Sequence, residues 1–88
     1  MRDQTLYPVK IHNNLYAVSI IHCDLQHTSH VTIVNESATP VLEVQEAASG
    51  YQILTIHHSK GDTTTIPISF SNSHHDIETL IAMFGNQP

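Results

Sequence analysis

The sequence predicts an α+β domain: a five- or six-stranded, mainly antiparallel and twisted sheet, either open or partly closed into a barrel, with one C-terminal helix packed on it. Alternation of apolar and polar residues dominates the chain from residue 5 to residue 70. Short clusters of Asn, Gly, Ser and Pro interrupt this alternation at hairpin spacing. After Ser73 the apolar period changes to that of a helix. A chain of 88 residues has room for one core, so we expect a single domain over residues 1–88.

The first two strands are predicted at about residues 5–12 and 15–23. Asn13 and Asn14 separate them, and asparagine tolerates positive φ, so we expect a two-residue hairpin turn at this point. The second strand is apolar on both of its alternating rows. Such a pattern indicates a strand that is buried on both sides or that lies at a dimer interface.

Four further strands are predicted, at about residues 31–35, 41–47, 51–58 and 63–70. Ser49 and Gly50 are predicted to form one hairpin turn between these strands. Residues 59–62 are predicted to form another, with Gly61 at a position where positive φ is useful. Pro67 cannot donate to a strand ladder, so the last strand is predicted to lie at an edge of the sheet or to carry a bulge.

The only helix is predicted over about residues 74–84. Its apolar residues follow the spacing i, i+3, i+4, i+7 and form one stripe that must lie on the sheet: Ile77, Leu80, Ile81 and Phe84. Ser73 precedes the helix as a candidate N-cap, and Gly85 stands where a residue with left-handed conformation commonly ends a helix.

The charge composition excludes one class of partner. The chain has three Lys and Arg residues, eight Asp and Glu residues and eight His residues, with a formal net charge of −5 when the histidines are neutral. Nucleic-acid affinity depends on Lys and Arg contacts to phosphates, and three scattered cations form no patch. No nucleic-acid partner is therefore expected.

No membrane partner is expected either, because no apolar run approaches the length of a membrane-spanning helix. The N-terminal residues lack the apolar core of a secretory signal, and Cys23 has no second cysteine with which to form a disulfide. These observations predict a cytoplasmic protein.

Catalysis has little support in the sequence. The chain contains neither a nucleophile elbow nor a glycine-rich phosphate loop. Glu43 and Glu46 are predicted on opposite sides of one strand, which is unsuitable for a paired acid and base. We expect a protein that is not an enzyme and that has no cofactor, apart from the metal considered next.

Cys23, His27 and His30 form the sharpest cluster of chemically active side chains, with the spacing C-x3-H-x2-H. Thiolate and imidazole are the ligands that zinc prefers, although a closed site needs four donors. The cluster is a candidate zinc site. The alternative is a polar loop in a histidine-rich chain, with Cys23 buried as a small apolar residue.

The remaining functional hypothesis is protein–protein association. Few charged residues and a strand with two apolar rows are typical of an extended interface. We expect a non-catalytic interaction protein, most simply a homodimer, whose candidate interface is the row Tyr16, Val18 and Ile20. The alternatives are a helix that covers this row, a metal-binding or pH-responsive module that uses Cys23, His27 and His30, and a small-ligand cup between sheet and helix.

Overall fold

The computed structural model describes residues 2–23, 28–46, 50–69 and 73–85, with residues 2, 3, 23 and 28 described by their backbone alone. The elements are β1 (Arg2–Ile11), β2 (Asn14–Cys23), β3 (Thr28–Val34), β4 (Pro40–Glu46), β5 (Gln52–His57), β6 (Thr63–Ile68) and α1 (His74–Phe84). Each strand pairs antiparallel with the next, in the order β1-β2-β3-β4-β5-β6. Since β1 and β6 are the two edges, the predicted α+β fold is confirmed as an open sheet with one C-terminal helix.

The turn between β1 and β2 lies one residue earlier than predicted. Asn14 already belongs to β2, and the two turn residues are His12 and Asn13, with φ of 50° and 67°. Positive φ at both central residues is the geometry whose twist matches paired strands. Histidine, like asparagine, is enriched among the residues that adopt this conformation, so His12 is a suitable first residue for the turn.

The core lies between one face of the sheet and the helix. Alternate residues of neighbouring strands share a face, so the register brings one apolar row from each strand together. The fully buried side chains include Val18, Val31, Ile33, Leu42 and Leu54 from the strands and Ile77 and Ile81 from the helix. The predicted helical stripe therefore covers one face of the sheet.

Both ends of α1 lie where the sequence predicts them, but only the N-terminal cap has the predicted geometry. The Ser73 hydroxyl oxygen accepts a hydrogen bond from the Asp76 backbone N–H at 3.2 Å, which confirms the predicted N-cap. Gly85 ends the helix with φ of −73°, so the expected left-handed conformation is absent. A Cβ at this position would lie 2.7 Å from the Ile81 carbonyl oxygen, and that close approach is what requires glycine.

Proline occurs in both edge strands. Pro67 lies in β6, as an edge position predicts, and Pro8 lies in β1 at the opposite edge. Proline has no N–H to offer to another strand. The two edges of the sheet are therefore poor templates for further strand pairing.

The turn before β6 depends on a glycine. Gly61 adopts φ of +98°, a conformation that side chains other than glycine's rarely allow. Its N–H donates to the His58 carbonyl oxygen at 3.0 Å, and the His58 N–H donates to the Asp62 carbonyl oxygen at 2.9 Å. These two bonds close the turn and start β6 in register with β5.

Candidate functional site

The helix leaves the other face of the sheet uncovered. This helix-free face carries Leu6, Ile21, His30, Glu43, Ile53 and His57. Leu6 is 67% exposed and Leu15, near one end of the same face, is 47% exposed. The face therefore combines exposed apolar side chains with a group of polar ones at its centre.

The polar group is a carboxylate held between two imidazoles. His30 Nε2 donates to Glu43 Oε1 at 2.9 Å, and His57 Nε2 donates to Glu43 Oε2 at 2.5 Å. Both oxygens of one carboxylate are thereby occupied. The three side chains come from β3, β4 and β5, so the cluster joins the three strands next to the β6 edge.

The strand register explains why these three residues meet. Glu43 lies directly opposite Thr32 on β3 and Thr55 on β5. His30 precedes Thr32 by two residues and His57 follows Thr55 by two, so the two histidines are displaced from Glu43 in opposite directions along the strands. Diagonal neighbours of this kind are about 7–8 Å apart, which long side chains can bridge.

The surroundings of Glu43 act on its acidity in two directions. Partial burial by itself raises the pKa of the carboxyl. Hydrogen bonds from His57 and His30, and the charges of those rings when they are protonated, lower it more, so the pKa of Glu43 lies below its usual value. Glu43 is consequently ionised at neutral pH, and each of its two oxygens accepts a hydrogen bond from one imidazole.

Few other charges share this face. The strands beside the cluster contribute Ser19 and Ile21 from β2 and Thr63 and Thr65 from β6, none of which ionises near neutral pH. Among the side chains that the structure describes in the strands of this face, only Lys10 and Glu43 are formally charged. The cluster is thus the main electrostatic feature of an otherwise weakly charged surface.

The row predicted as an interface lies on the opposite face and belongs to the chain's own core. Tyr16 is 5% exposed, Val18 is fully buried and Ile20 is partly buried against the core. The Tyr16 hydroxyl donates to the Gly85 carbonyl oxygen at 3.4 Å, which links β2 to the end of the helix. The burial of Tyr16 and Val18 favours the alternative in which the helix covers this row, and Ile20 alone keeps partial exposure.

The predicted metal residues are only partly described. Cys23 ends β2 opposite Thr28, His27 lies outside the described residues, and His30 donates to Glu43. No group of three or more His, Cys, Asp or Glu side chains within the described ranges is arranged to hold a metal ion. A zinc ion at these positions stays a prediction, which elemental analysis of protein prepared without an affinity tag would test.

A cleft of about 350 Å³ opens at one end of the sheet. Its walls come from the start of β2, the turn between β3 and β4, the end of β5 and the helix terminus at Gly85. His57 and His58 both line it, and His58 Nε2 also hydrogen-bonds with Thr64 Oγ1 at 2.7 Å. The cleft contacts the helix only at Gly85, whereas the predicted ligand cup lay between sheet and helix.

Comparison with protein-family models, with curated proteins and with solved structures finds no match to this chain. Within the residues described, no helix is both long enough and apolar enough to span a membrane.

Proposed function

We propose that this chain is a small, non-catalytic, cytoplasmic interaction protein that forms a homodimer by packing the helix-free faces of two copies against each other. The observation that carries the proposal is the exposure of Leu6 and Leu15 on a sheet face that the helix leaves uncovered. The solvent-exposed face of a sheet normally carries polar residues. Large exposed apolar side chains on such a face therefore indicate a surface that binds another protein.

The composition of the helix-free face resembles the centre of an interface. Charged residues are depleted at interface centres, and the described strand side chains on this face include only Lys10 and Glu43. A buried carboxylate is costly unless it is paired and hydrogen-bonded. Glu43 meets that requirement in advance, because His30 and His57 already occupy both of its oxygens.

The area of the face is large enough for a stable dimer. Six strands about 4.8 Å apart make a sheet about 24 Å wide, and its strands are on average about 25 Å long. The resulting area of about 600 Å² per copy corresponds to about 1,200 Å² in total, which lies at the lower end of specific interfaces.

The shape of the helix-free face is suited to binding a second copy of the chain. A symmetric dimer needs a surface that complements itself. Leu6 projects from β1, and a depression of about 300 Å³ lies beside it. Its lining includes the apolar residues Pro8, Leu15, Ala17 and Val34 and the polar residues Asn35 and Glu36. One copy can therefore offer both the projecting side chain and the depression that receives it.

The edges of the sheet favour this face-to-face arrangement over strand pairing. Pro8 and Pro67 interrupt the outward hydrogen-bonding groups of β1 and β6. Two copies joined edge to edge would have to pair around these prolines, whereas a face-to-face dimer leaves both edges unused.

Sedimentation equilibrium of the wild-type protein and two matched variants tests the proposal. The monomer has a mass of 9.8 kDa, and we expect twice that mass at high concentration. Leu6→Lys introduces a charge into the proposed interface, at the β1 side of the helix-free face, and should give a monomer. Met83→Lys makes the same change at a helix residue with 64% exposure, close to that of Leu6, and should leave the dimer intact.

The two lysine variants also report on folding, because both side chains are exposed in the folded chain and neither contributes to the core. Circular dichroism should be the same for all three proteins. A wild-type protein that stays monomeric at every concentration contradicts the proposal. So does a Leu6→Lys variant that dimerises as well as the Met83→Lys variant.

A second candidate function is the binding of a small polar ligand in the cleft at the end of the sheet, which is favoured by two histidines and several amide groups in its lining. Chemical shifts of the residues around His58, followed by NMR during a small-molecule screen, test it. Shift changes confined to the cleft would support ligand binding, and a broad screen without any would count against it.

A further inference from the structure

We infer that the cleft at the end of the sheet binds a small, uncharged carbohydrate. The inference rests on the second candidate function proposed above, because it names the chemical class of the ligand for the same cleft. The lining combines hydrogen-bonding side chains from several parts of the chain with a few apolar ones. The volume of about 350 Å³ lies near the lower end of the range for small-molecule sites, so the ligand is small.

The charge of the lining favours a neutral ligand. Glu36 carries the only formal charge among the described side chains that line the cleft, and neither Lys nor Arg is among them. A phosphate or carboxylate group in the cleft would face this carboxylate without a permanent cation to offset it. Lys60 and Asp62 lie on the neighbouring turn, outside the lining, and their charges offset each other. A cation would gain little, because Glu36 is exposed and exposed ion pairs are weak.

Hydrogen-bonding groups reach the cleft from three parts of the chain. The start of β2, the turn between β3 and β4, and the residues after β5 contribute, in that order, Asn14, then Asn35, Ser37 and Thr39, then His58. Amides, hydroxyls and an imidazole together supply both donors and acceptors. A sugar carries hydroxyl groups around its ring, and each of them both donates and accepts. Such a ligand can bond to all three parts of the lining at once.

Two of the polar side chains are held in place by the backbone. Asn35 Oδ1 accepts hydrogen bonds from the N–H groups of Ser37 and Thr39, at 2.9 and 3.1 Å. Glu36 Oε1 accepts one from the Leu15 N–H at 3.2 Å. These bonds do not use the Asn35 amide nitrogen, which is a donor, or Glu36 Oε2, which is an acceptor. Because both side chains are already ordered, a ligand that bonds to them loses less free energy to their ordering.

The apolar part of the lining suits the carbon atoms of a sugar ring better than a nucleobase. Leu15 is 47% exposed, and Pro40 and Val41 also line the cleft. A sugar ring can bury its C–H groups on this aliphatic surface while its hydroxyls bond to the polar side chains. Bases bind by stacking on accessible aromatic rings. Tyr16 is the only Phe, Tyr or Trp in the described lining, and it is 5% exposed.

NMR titration of the whole chain at neutral pH tests the inference. The probes are glucose, galactose, mannose and N-acetylglucosamine, with adenosine as a nucleoside for comparison. The backbone amides of Leu15, Ser37 and Thr39 report on the cleft, because they donate to Glu36 and Asn35. At least one sugar should shift them, with a dissociation constant in the millimolar range expected for a ligand of about a dozen atoms. The amides on the exposed side of the helix should not change.

A charge series on one ring tests the class of ligand. For the sugar that binds, the uronic acid and the amino sugar with the same ring are titrated in the same way. The uronic acid should bind about fivefold more weakly than the neutral sugar, since both it and Glu36 are negative. Glu36→Gln removes the charge but keeps an acceptor for the Leu15 N–H, so it should remove most of this difference. The amino sugar should bind within about fivefold of the neutral sugar.

Two tryptophan variants locate the site. Ser37→Trp fills the cleft and keeps the backbone hydrogen bonds of the turn, so it should abolish sugar binding. Met83→Trp places the same side chain at an exposed helix residue outside the lining, and it should bind sugar as the wild type does. Circular dichroism should be the same for both variants and the wild type. Leu6→Lys should also bind sugar, because one copy of the chain forms the whole cleft.

The outcomes separate this inference from the function on which it rests. If no sugar binds in the cleft but adenosine or a compound of the broad screen does, the inference alone is overturned. If nothing binds there, both are overturned. Sugar binding that Ser37→Trp leaves unchanged overturns the inference, because the ligand then lies elsewhere. So does a uronic acid that binds as tightly as the neutral sugar, or an amino sugar that binds more than about tenfold more tightly. A neutral sugar whose binding only Ser37→Trp abolishes supports both.

Discussion

Glu43 and His57 lie diagonally across the β4–β5 ladder, and His57 Nε2 donates to Glu43 Oε2 at 2.5 Å. The same carboxylate accepts from His30 on the other neighbouring strand. One acidic residue on an uncovered face thus joins three adjacent strands. Because all three side chains are partly exposed, we expect these ion pairs to make only a modest contribution to stability.

The pairing of Glu43 predicts a specific acid response. The folded-state pKa of Glu43 is lower than its ordinary value, so in acid the unfolded chain binds more protons at this site than the folded chain does. The stability that Glu43 contributes is complete above the ordinary glutamate pKa and is lost as the pH falls through the lower folded-state pKa. Urea unfolding between about pH 5 and about pH 3 should therefore show a smaller loss of stability in Glu43→Gln than in the wild type.

The control for this comparison is Glu78→Gln, which removes an exposed helix carboxylate away from the cluster. It should follow the wild-type dependence on pH. Equal losses of stability in the wild type and in Glu43→Gln would contradict the prediction.

Removal of the Tyr7 hydroxyl is expected to raise the free energy of unfolding. Tyr7 Oη is buried and has no hydrogen-bond partner among the described residues, while its ring stacks on His74 with centroids 4.3 Å apart. Burial, and to a smaller extent the charge of Glu78, raises the pKa of Tyr7. Tyr7→Phe keeps the stacked ring and removes the unsatisfied hydroxyl, so we expect the free energy of unfolding to rise by about 1 kcal/mol.

Thermal and urea unfolding of Tyr7→Phe measure this change. Tyr51→Phe is the matched control, because Tyr51 is 55% exposed and its hydroxyl reaches solvent. The control should change stability by less than about 0.5 kcal/mol. A clear loss of stability in Tyr7→Phe would show that its hydroxyl has a partner in solution.

Substitution of Leu54 tests how much the packing of the core contributes to the free energy of unfolding. Leu54 is fully buried at the centre of β5, and its removal leaves a cavity between sheet and helix. Leu54→Ala should lower the free energy of unfolding by about 2–5 kcal/mol in urea denaturation. Met83→Ala, at an exposed helix position, should be almost neutral, and equal effects of the two substitutions would show that β5 is not packed as described.

Substitution of the N-cap residue Ser73 tests how much the cap contributes to the free energy of unfolding. Ser73→Ala removes the acceptor of the Asp76 N–H and should cost about 1 kcal/mol in free energy of unfolding. Ser73→Asp also offers a capping oxygen and should recover most of the loss. If Asp fails to restore what Ala removes, the hydroxyl stabilises the chain by some means other than capping.

Much of this fold could be predicted from periodicity. Alternation identified six strands, and the change of period at Ser73 identified the helix with the bounds that the structure has. Turn chemistry predicted the hairpins, although the first one lies at His12 and Asn13 and not at Asn13 and Asn14. Boundaries were less accurate, because β1 begins at Arg2 and β3 at Thr28, several residues before the strongly apolar segments.

The early start of β3 explains why the site was missed. With β3 predicted to begin at residue 31, His30 belongs to a loop and is grouped with Cys23 and His27. In the structure His30 lies inside the strand, in register with Ile21 and Gln45. Alternation within β4 and within β5 shows which residues share a face with Glu43 and which share a face with His57. It does not show that these two rows lie on the same face, which depends on the register between the strands.

The sequence by itself determined the number and type of elements, since local periodicity, turn residues and a helix cap are encoded by neighbours along the chain. The tertiary structure alone decided which face of the sheet is covered. Tyr16 and Leu15 are adjacent and both large and apolar, yet only Tyr16 lies beneath the helix. That choice depends on where the helix packs and on the register of five strand pairs, which also brings His30, Glu43 and His57 together from positions 13 and 14 residues apart.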